Sequence, residues 1–287
     1  MTTRDNTLGI LAMAATAFLW SIAGLFIKVI DWNPLTIAGF RSLIASLVIL
    51  LYLKRLKIHL SFPQVAAAFA NAATMLLFVS ANKTTTSANA IILQCIAPIC
   101  TAFIGAILLK ERARLEHWIA FLLVAVGMMV MFLDKLGGGR TLGNLLAVLS
   151  GIIFSFYLVF MRMQKDGSPL ESILLSHWLT AGVGIAISVF MPIPPVSLKA
   201  LAAIAVLGLV QVGVSAILFV VAIKRISAVS ANLIALIEPV FNPIWVFLAL
   251  GEAPGPNTLI GGIIIILAVT GASVISAERS KQISGTT

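Results

Sequence analysis

The residues of this chain that could do chemistry are a few polar groups set within long apolar stretches. Glu238 is the acidic side chain placed deep in such a stretch. It predicts a proton carrier or a partner for a substrate ammonium, or else a carboxyl held by interhelical hydrogen bonds with Arg41. Asn242 follows four residues later on the same helical face and would join either role. Arg41 itself would hold a substrate carboxylate, form a structural ion pair, or snorkel towards a surface.

A second group of polar and aromatic side chains has the composition of a pocket wall. Gln211, Ser215 and Phe219 recur every four residues on one helical face, and Thr74 and Phe78 do the same earlier in the chain. Flat rings with a few polar groups suit a mostly apolar, zwitterionic molecule, although small and hydroxyl residues also serve ordinary helix packing. The predicted substrate-binding residues are Trp20, Thr74, Phe78, Gln94, Phe154, Tyr157, His177, Trp178, Gln211, Ser215, Phe219, Glu238 and Asn242.

Other kinds of chemistry find no support in the residues. A hydrolase or transferase needs a clustered nucleophile, base and oxyanion donors, whereas His59, His117 and His177 lie far apart in the sequence. The sequence contains no Gly-rich phosphate loop and no metal-ligand spacing. Cys95 and Cys100 lie in one apolar stretch, as packing residues do. We therefore predict neither an enzyme nor an ATP-driven pump, and no cofactor or metal.

The elements that must position these residues are membrane-spanning helices. Of the 287 residues 60% are hydrophobic and 10% are charged, and the mean hydropathy is +1.11. The net charge of +9 resides in short loops, which indicates a lipid bilayer and not nucleic acid as the partner. Trp32, Trp118 and Trp245 are predicted at the interface or against lipid. Ten spans are predicted at roughly 8–29, 35–53, 62–81, 87–109, 115–133, 143–162, 171–191, 199–222, 228–249 and 258–276.

An internal repeat organises these spans. Residues 77–111 align without a gap with residues 218–252, and ten of the 35 pairs are identical, including Lys83/Lys224 and Pro98/Pro239. Each proline removes one backbone hydrogen bond within an apolar helix. A single proline would be consistent with a packing kink, but two at equivalent positions favour hinges beside a binding cavity.

The distribution of Lys and Arg predicts how the two halves lie in the membrane. Basic residues such as Arg162 and Lys224 concentrate in one set of loops, which we place in the cytoplasm together with both termini. Each half has five spans, an odd number, so Lys83 lies outside while its partner Lys224 lies inside. The halves, 8–134 and 142–276, are therefore predicted to be inverted repeats joined near the glycines at 137–139.

At this point the chain resembles the drug/metabolite transporter superfamily, in particular its EamA-like branch with ten helices. The resemblance is carried by FLWSIAG at 18–24, by Phe40-Arg41 in the second span, and by a Pro-containing helix that ends in Glu. Within that branch the chain looks most like bacterial inner-membrane exporters of aromatic and other neutral amino acids. Leu175-Ser176 and His177 stand where the second half would repeat Phe40-Arg41, so a symmetric use of Arg is in doubt.

The predicted fold is an all-α membrane protein with two inverted five-helix repeats around a central cavity. The predicted function is secondary transport, by alternating access, of neutral or zwitterionic metabolites across a bacterial inner (plasma) membrane. The resemblance implies export of aromatic and other neutral amino acids. The alternatives are export or import of other amphiphilic metabolites or drugs, a channel, or a non-transporting membrane scaffold. Coupling to protons and the oligomeric state stay open.

Overall fold

The computed structural model describes residues 3–53, 56, 58, 60–85, 87–111, 113–132, 141–167, 169–191, 196–250 and 255–284. Within these residues the chain forms fourteen α-helices, one π-helical segment and no strand. The predicted all-α fold class is confirmed. In a bilayer this is the expected solution, because a helix satisfies its own backbone hydrogen bonds. The predicted joint at 137–139 lies outside the described residues.

The helices follow the apolar stretches of the sequence. In the first half they are α1 (Thr3–Trp20), α2 (Ala23–Val29), α3 (Pro34–Tyr52), α4 (Phe62–Thr84), α5 (Ser87–Gln94), α6 (Ala97–Leu108) and α7 (Leu115–Phe132). In the second half they are α8 (Thr141–Met163), α9 (Pro169–Phe190), α10 (Leu198–Val206), the π-helical segment Leu207–Val214, α11 (Ser215–Ile223), α12 (Ala228–Ala235), α13 (Glu238–Leu250) and α14 (Pro256–Ser284).

Local residues explain several of the helix starts. Pro34 opens α3, where its fixed φ suits the first turn, and the Asn33 side chain accepts a hydrogen bond from the Leu35 amide at 2.9 Å. Ser197 and Ser227 cap α10 and α12 in the same way, accepting from the amides of residues 200 and 230 at 3.1 Å each. The turn residues therefore stop one helix and start the next at positions that the sequence specifies.

The length and apolar character of the helices make this a multi-pass membrane protein. In the part of the chain that the structure describes, seven helical segments are long and apolar enough to cross a bilayer, and they begin at Asp5, Pro34, Phe62, Thr141, Pro169, Leu198 and Pro256. Ala97–Leu108, Leu115–Val130 and Ala228–Phe241 are shorter apolar helices. Large apolar side chains lie exposed on the outer faces, with Leu51 at 87% and Val189 at 76%, as contact with lipid tails allows. The count of ten spans stays a prediction.

Two helices are interrupted at matching places in the internal repeat. α5 ends at Gln94 and α6 begins one residue before Pro98, and α12 ends at Ala235 and α13 begins one residue before Pro239. Pro98 leaves the Gln94 carbonyl without its helical partner. That carbonyl lies against Gly151 of α8, where a β-carbon would come within 2.5 Å of it. A glycine at 151 therefore lets α8 approach the interrupted helix closely.

Two other departures from the regular α-helix fall inside spans that the sequence analysis predicted to be continuous. The first span is divided after Trp20, where the Ser21 hydroxyl donates to the Phe18 carbonyl at 2.6 Å and accepts from Trp245 Nε1 at 2.7 Å. The eighth span contains the π-helical segment. Neither place contains a proline. The π-helical segment does contain Gly208 and Gly213, and Gly208 packs closely against Ile44 of α3.

The long helices pair between the two halves of the chain. α3 packs along α9, and α7 packs along α14. α4 packs on α8 and α9, while α10, the π-helical segment and α11 together pack on α1, α2 and α3. The first two pairs join equivalent helices of the two halves. In the other two sets, the third span of one half packs on the first two spans of the other half.

The crossing of α3 and α9 depends on two facing glycines. A β-carbon on Gly39 would lie 2.6 Å from the Cα of Gly184, closer than real β-carbons come to backbone. Both positions therefore require glycine for the helices to keep this separation. Because α3 carries Arg41 and α9 carries His177, the crossing also sets the distance between those two side chains.

Polar side chains tie the helix ends together at both ends of the bundle. Lys83 Nζ donates to the Ile30 carbonyl at 2.6 Å, and its repeat partner Lys224 donates to the Gly167 carbonyl at 3.3 Å. Arg162 forms an ion pair with Glu111, Nε to Oε1 2.9 Å, and also donates to the Ile223 carbonyl at 2.8 Å. The end of α8 is therefore joined to the end of α11 and to the segment after α6.

The tryptophans predicted at the interface or against lipid divide into two groups. Trp118 is 40% exposed, as predicted. Trp32 is buried against Phe40, and Trp245 packs against Phe18 while its Nε1 donates to Ser21. Neither contact tests whether Trp32 and Trp245 lie at the membrane interface, so that part stays a prediction. Trp245 braces the break between α1 and α2, because a buried indole N–H requires an acceptor.

Candidate functional site

A cavity of about 110 Å³ lies among the helices, at the level of the helix breaks. Its lining comes from α1, α2, α3, α4, α5, α8, α9, the π-helical segment, α11, α12 and α13, so both halves of the chain contribute. This volume holds several water molecules or part of a small organic molecule. The cavity is therefore the place in the described structure where polar and aromatic side chains of both halves converge.

Four aromatic rings form one wall of the cavity. Tyr157 and Phe219 stack at 5.5 Å between ring centroids, and Phe154 lies 5.9 Å from both Tyr157 and Trp20. Trp20 Nε1 donates to the Ser215 hydroxyl at 3.0 Å, which holds the indole in place. The rings give the cavity an apolar wall, as a pocket for an aromatic or aliphatic group requires.

Arg41 and His177 form a polar corner of the same cavity. Arg41 is 3% exposed, and its Nη1 donates to Gln211 Oε1 over a long 3.4 Å. Its Nε, together with both ring nitrogens of His177, is buried without a hydrogen-bond partner among the described residues. No acidic oxygen of the described residues lies within 4.0 Å of the Arg41 guanidinium. The ion pair with Glu238 weighed from the sequence is therefore absent from this part of the chain.

Glu238 lies at the first turn of α13, directly after the break. It lines both the cavity and an adjoining pocket of about 40 Å³ that Cys95, Pro98 and Pro239 also line. Within the described residues its carboxylate makes no ion pair within 4.0 Å. The N-terminal end of a helix favours a negative charge. The acidic side chain of Glu238 and the guanidinium of Arg41 therefore line one cavity without forming an ion pair within 4.0 Å among the described residues.

Amide side chains connect the cavity to neighbouring helices. Asn71 donates to the Ser176 hydroxyl at 2.7 Å, and Gln94 donates to the Ser150 hydroxyl at 2.9 Å. Next to the cavity, Asn232 donates to the Thr101 hydroxyl at 2.7 Å and so joins the two interrupted helices. These bonds satisfy buried amides and fix the helices that surround the cavity.

Most of the predicted substrate-binding residues lie around this cavity. Those that line it are Trp20, Thr74, Phe78, Gln94, Phe154, Tyr157, His177, Gln211, Ser215, Phe219 and Glu238. Trp178 does not line it and is 39% exposed, because it lies about 100° around the α-helix from its neighbour His177. The side chain of Asn242 lies outside the described residues.

Asn71 is not among the predicted site residues, and the sequence leaves the role of Arg41 open. Asn71 lies three residues before Thr74 on the same face of α4, so the predicted face would have included it if extended by one turn. Of the three roles predicted for Arg41, the structural ion pair finds no carboxylate partner among the described residues.

The π-helical segment helps to direct the predicted face of the eighth span. A π-helical turn closes with an i→i+5 hydrogen bond and so holds more residues than an α-helical turn. Residues spaced by four therefore lie more nearly above one another along the axis of a π-helical segment than along that of an α-helix. Gln211 lies within the segment, Ser215 directly follows it, and both line the cavity with Phe219.

Comparison with known proteins connects this architecture to one family. The model of the EamA-like transporter family matches residues 7–133 and again residues 141–274. A Clostridium kluyveri protein named "Uncharacterized transporter" is 24% identical over 208 residues, which are 69% of this chain and 66% of that protein. The chain thus spans just under two thirds of that relative. "Uncharacterized transporter YwfM" of Bacillus subtilis is 25% identical over 294 residues and 93% of both chains.

The fold also has a counterpart among solved structures. A protein crystal structure superposes with a TM-score of 0.78 at 20% sequence identity, covering 94% of this chain and 98% of the other. At this identity the likeness concerns the fold alone.

Proposed function

The chain belongs to the EamA-like transporter family, and we propose that it is a secondary transporter of small neutral or zwitterionic metabolites. Aromatic and other neutral amino acids, moved out of the cell, are the proposed cargo. The observation that carries this proposal is the cavity between the two halves, where stacked rings meet a basic and an acidic side chain that do not pair with each other among the described residues. Nucleotides fit less well, because their phosphates need several Lys or Arg side chains. Among the described lining residues, one side chain, Arg41, is of this kind.

Counterflow in proteoliposomes tests this function. Vesicles loaded with one unlabelled amino acid accumulate a labelled external amino acid transiently if a carrier exchanges them, and the screen covers all twenty. Saturable counterflow of aromatic and neutral amino acids is the expected result. Non-saturating flux would favour a channel, and the absence of counterflow for all twenty would contradict the proposed cargo.

The proposed mechanism is alternating access by two inverted repeats, 8–134 and 142–276. Two features support it. Helix partnerships recur with the halves exchanged, and the repeat-related Lys83 and Lys224 each donate to the carbonyl of a turn that follows the first predicted span of a half. Pro98 and Pro239, at the two interrupted helices, are the proposed hinges. Exchange of conformation between the halves would open the cavity to each side in turn.

Proton coupling through Glu238 is the proposed energy source. Its carboxylate lines the cavity, and within the described residues no basic side chain lies within 4.0 Å to hold it ionised. A carboxyl in this position can bind and release a proton as the cavity opens to either side. Uptake into liposomes with and without an imposed pH gradient measures the coupling.

The proposed location is the inner (plasma) membrane of a bacterium, with both termini in the cytoplasm. The support is the concentration of Lys and Arg in the loops of one side. Cysteine labelling at Asp31 and Asp166 tests this orientation.

A further inference from the structure

We propose that Arg41 and His177 form a carboxylate-binding subsite at one end of the central cavity. The inference rests on the proposed function, because it assigns a chemical class to the cargo of the same site. The ligand class is an organic carboxylate that carries an apolar group of about ring size, and the aromatic wall takes the apolar group.

The first argument is the lack of partners for Arg41. The guanidinium is 3% exposed, makes one 3.4 Å hydrogen bond to a neutral amide, and leaves Nε without a partner. A buried cation without a counter-charge is costly. Within the described part of the chain no carboxylate lies within 4.0 Å to supply that charge. An anionic ligand in the cavity would supply both the charge and the acceptor.

The second argument is His177, which is independent of Arg41 in sequence and comes from another helix. The imidazole is fully buried, and among the described residues neither ring nitrogen has a hydrogen-bond partner. Buried polar groups are nearly always satisfied. One ring N–H directed at a ligand oxygen, beside the Arg41 Nε–H, gives two donors to one carboxylate.

The third argument is the rigidity with which the fold holds the two side chains. Arg41 lies two residues after Gly39 on α3, and His177 lies seven residues before Gly184 on α9, so the glycine crossing holds their helices close together. Snorkelling, which would take the Arg41 charge to a membrane surface, is contradicted by the burial of the whole side chain.

Three probes of one size separate the charges. L-phenylalanine has both charges, 3-phenylpropanoate has only the carboxylate, and L-phenylalaninamide has only the ammonium. Binding of each probe to the purified full chain is measured by calorimetry for the wild type, Arg41→Gln, Arg41→Lys and His177→Gln. Arg225→Gln is the matched control, because the Arg225 side chain donates to the Val221 carbonyl outside the cavity.

We expect Arg41→Gln to weaken both carboxylate probes by about tenfold or more, as loss of a charged hydrogen bond predicts. Phenylalaninamide should stay within about twofold of its wild-type affinity, which also shows that the variant is folded. Arg41→Lys should retain more carboxylate affinity than Arg41→Gln. His177→Gln should lose about three- to tenfold, the range for one neutral hydrogen bond. Arg225→Gln should match the wild type.

Several outcomes would overturn the subsite. They are equal wild-type affinity for all three probes, a parallel loss of all three in Arg41→Gln, and no binding of either carboxylate. The counterflow screen separates this result from the proposed function. Counterflow of amino acids together with equal binding of the three probes leaves transport standing and removes the subsite, whereas carboxylate binding without counterflow does the reverse.

Discussion

At the scale of single residues, the cavity combines one cation and one acid that do not neutralise each other directly. Arg41 and Glu238 both line it, yet no ion pair within 4.0 Å joins them in the described structure. In a fold built for stability alone, two such charges would be expected to meet, since each is costly to bury alone. Their separation leaves both available to a ligand with the complementary charges.

Glu238→Gln tests the role of the acid. The substitution keeps the shape of the side chain and removes its ability to carry a proton. We expect stimulation of transport by an imposed pH gradient to disappear, while counterflow without a gradient persists. Liposome uptake under both conditions measures it. Glu116→Gln, at the start of α7 and outside the cavity, is the control that should retain stimulation. Full gradient-dependent transport in Glu238→Gln would refute proton coupling through this residue.

At the scale of elements, the described ends of the helices are joined by a few polar contacts. The Arg162–Glu111 ion pair is the most connected. Arg162 reaches the Ile223 carbonyl, and the second Glu111 oxygen accepts from the Ala228 amide at 3.2 Å at the start of α12. A carboxylate at that position also interacts favourably with the positive end of the helix dipole. One side-chain pair thus ties α8 to α11, to α12 and to the segment after α6.

Arg162→Gln should therefore destabilise this end of the bundle. Removing one partner leaves Glu111 without its cation, and the expected loss is about 3 kcal/mol, at the low end for buried pairs because Glu111 is 26% exposed. Thermal unfolding in detergent measures it. Arg114→Gln is the matched control: its 3.9 Å pair with Glu116 has a 45% exposed Arg side chain, so less than about 1 kcal/mol is expected. Equal losses in the two variants would contradict the assignment.

The crossing of α3 and α9 allows a second test. Gly184→Ala places a β-carbon against the backbone of Gly39 and should separate the helices, with an expected cost of about 1–3 kcal/mol. Gly182→Ala on the same helix is the control, since its β-carbon would meet nothing within 4 Å and alanine favours the helix. Thermal unfolding compares the two variants. If Gly184→Ala were as stable as Gly182→Ala, the close crossing would be wrong.

At the scale of the whole molecule, the proposed inversion of the two halves predicts on which side of the membrane each turn lies. Asp31 lies in the turn between α2 and α3, and Asp166 lies in the equivalent turn between α8 and α9. Both are exposed. If the halves were parallel repeats, these turns would lie on the same side of the membrane. If they are inverted, the turns lie on opposite sides.

Cysteine labelling distinguishes the two arrangements. In a chain with Cys95 and Cys100 replaced by alanine, we expect Asp31→Cys to react with a membrane-impermeant maleimide in intact cells. Asp166→Cys should react only after the membrane is permeabilised. The reverse pattern would keep the inverted repeat and reverse the orientation. Labelling of both from one side would contradict the inverted repeat itself.

The sequence by itself determined the class of protein and where its helices break at proline. Long apolar stretches have one stable solution in lipid, and a proline removes a hydrogen bond wherever it stands, so both features are local. The same holds for the face bearing Gln211, Ser215 and Phe219, because helical spacing places such residues together before any tertiary contact forms. Most of the candidate site was therefore predictable from periodicity and residue type.

Only the tertiary structure decided which polar groups meet. Whether Arg41 pairs with Glu238, whether Trp178 faces the cavity with His177, and whether Trp245 reaches Ser21 depend on the rotation of each helix about its axis. In a chain that is apolar on nearly every face, hydrophobicity does not specify that rotation. Close packing specifies it instead, through contacts such as Gly39 with Gly184 and Gly151 with the Gln94 carbonyl. Those contacts join residues distant in the sequence, so they can be identified from the tertiary structure but not from the sequence.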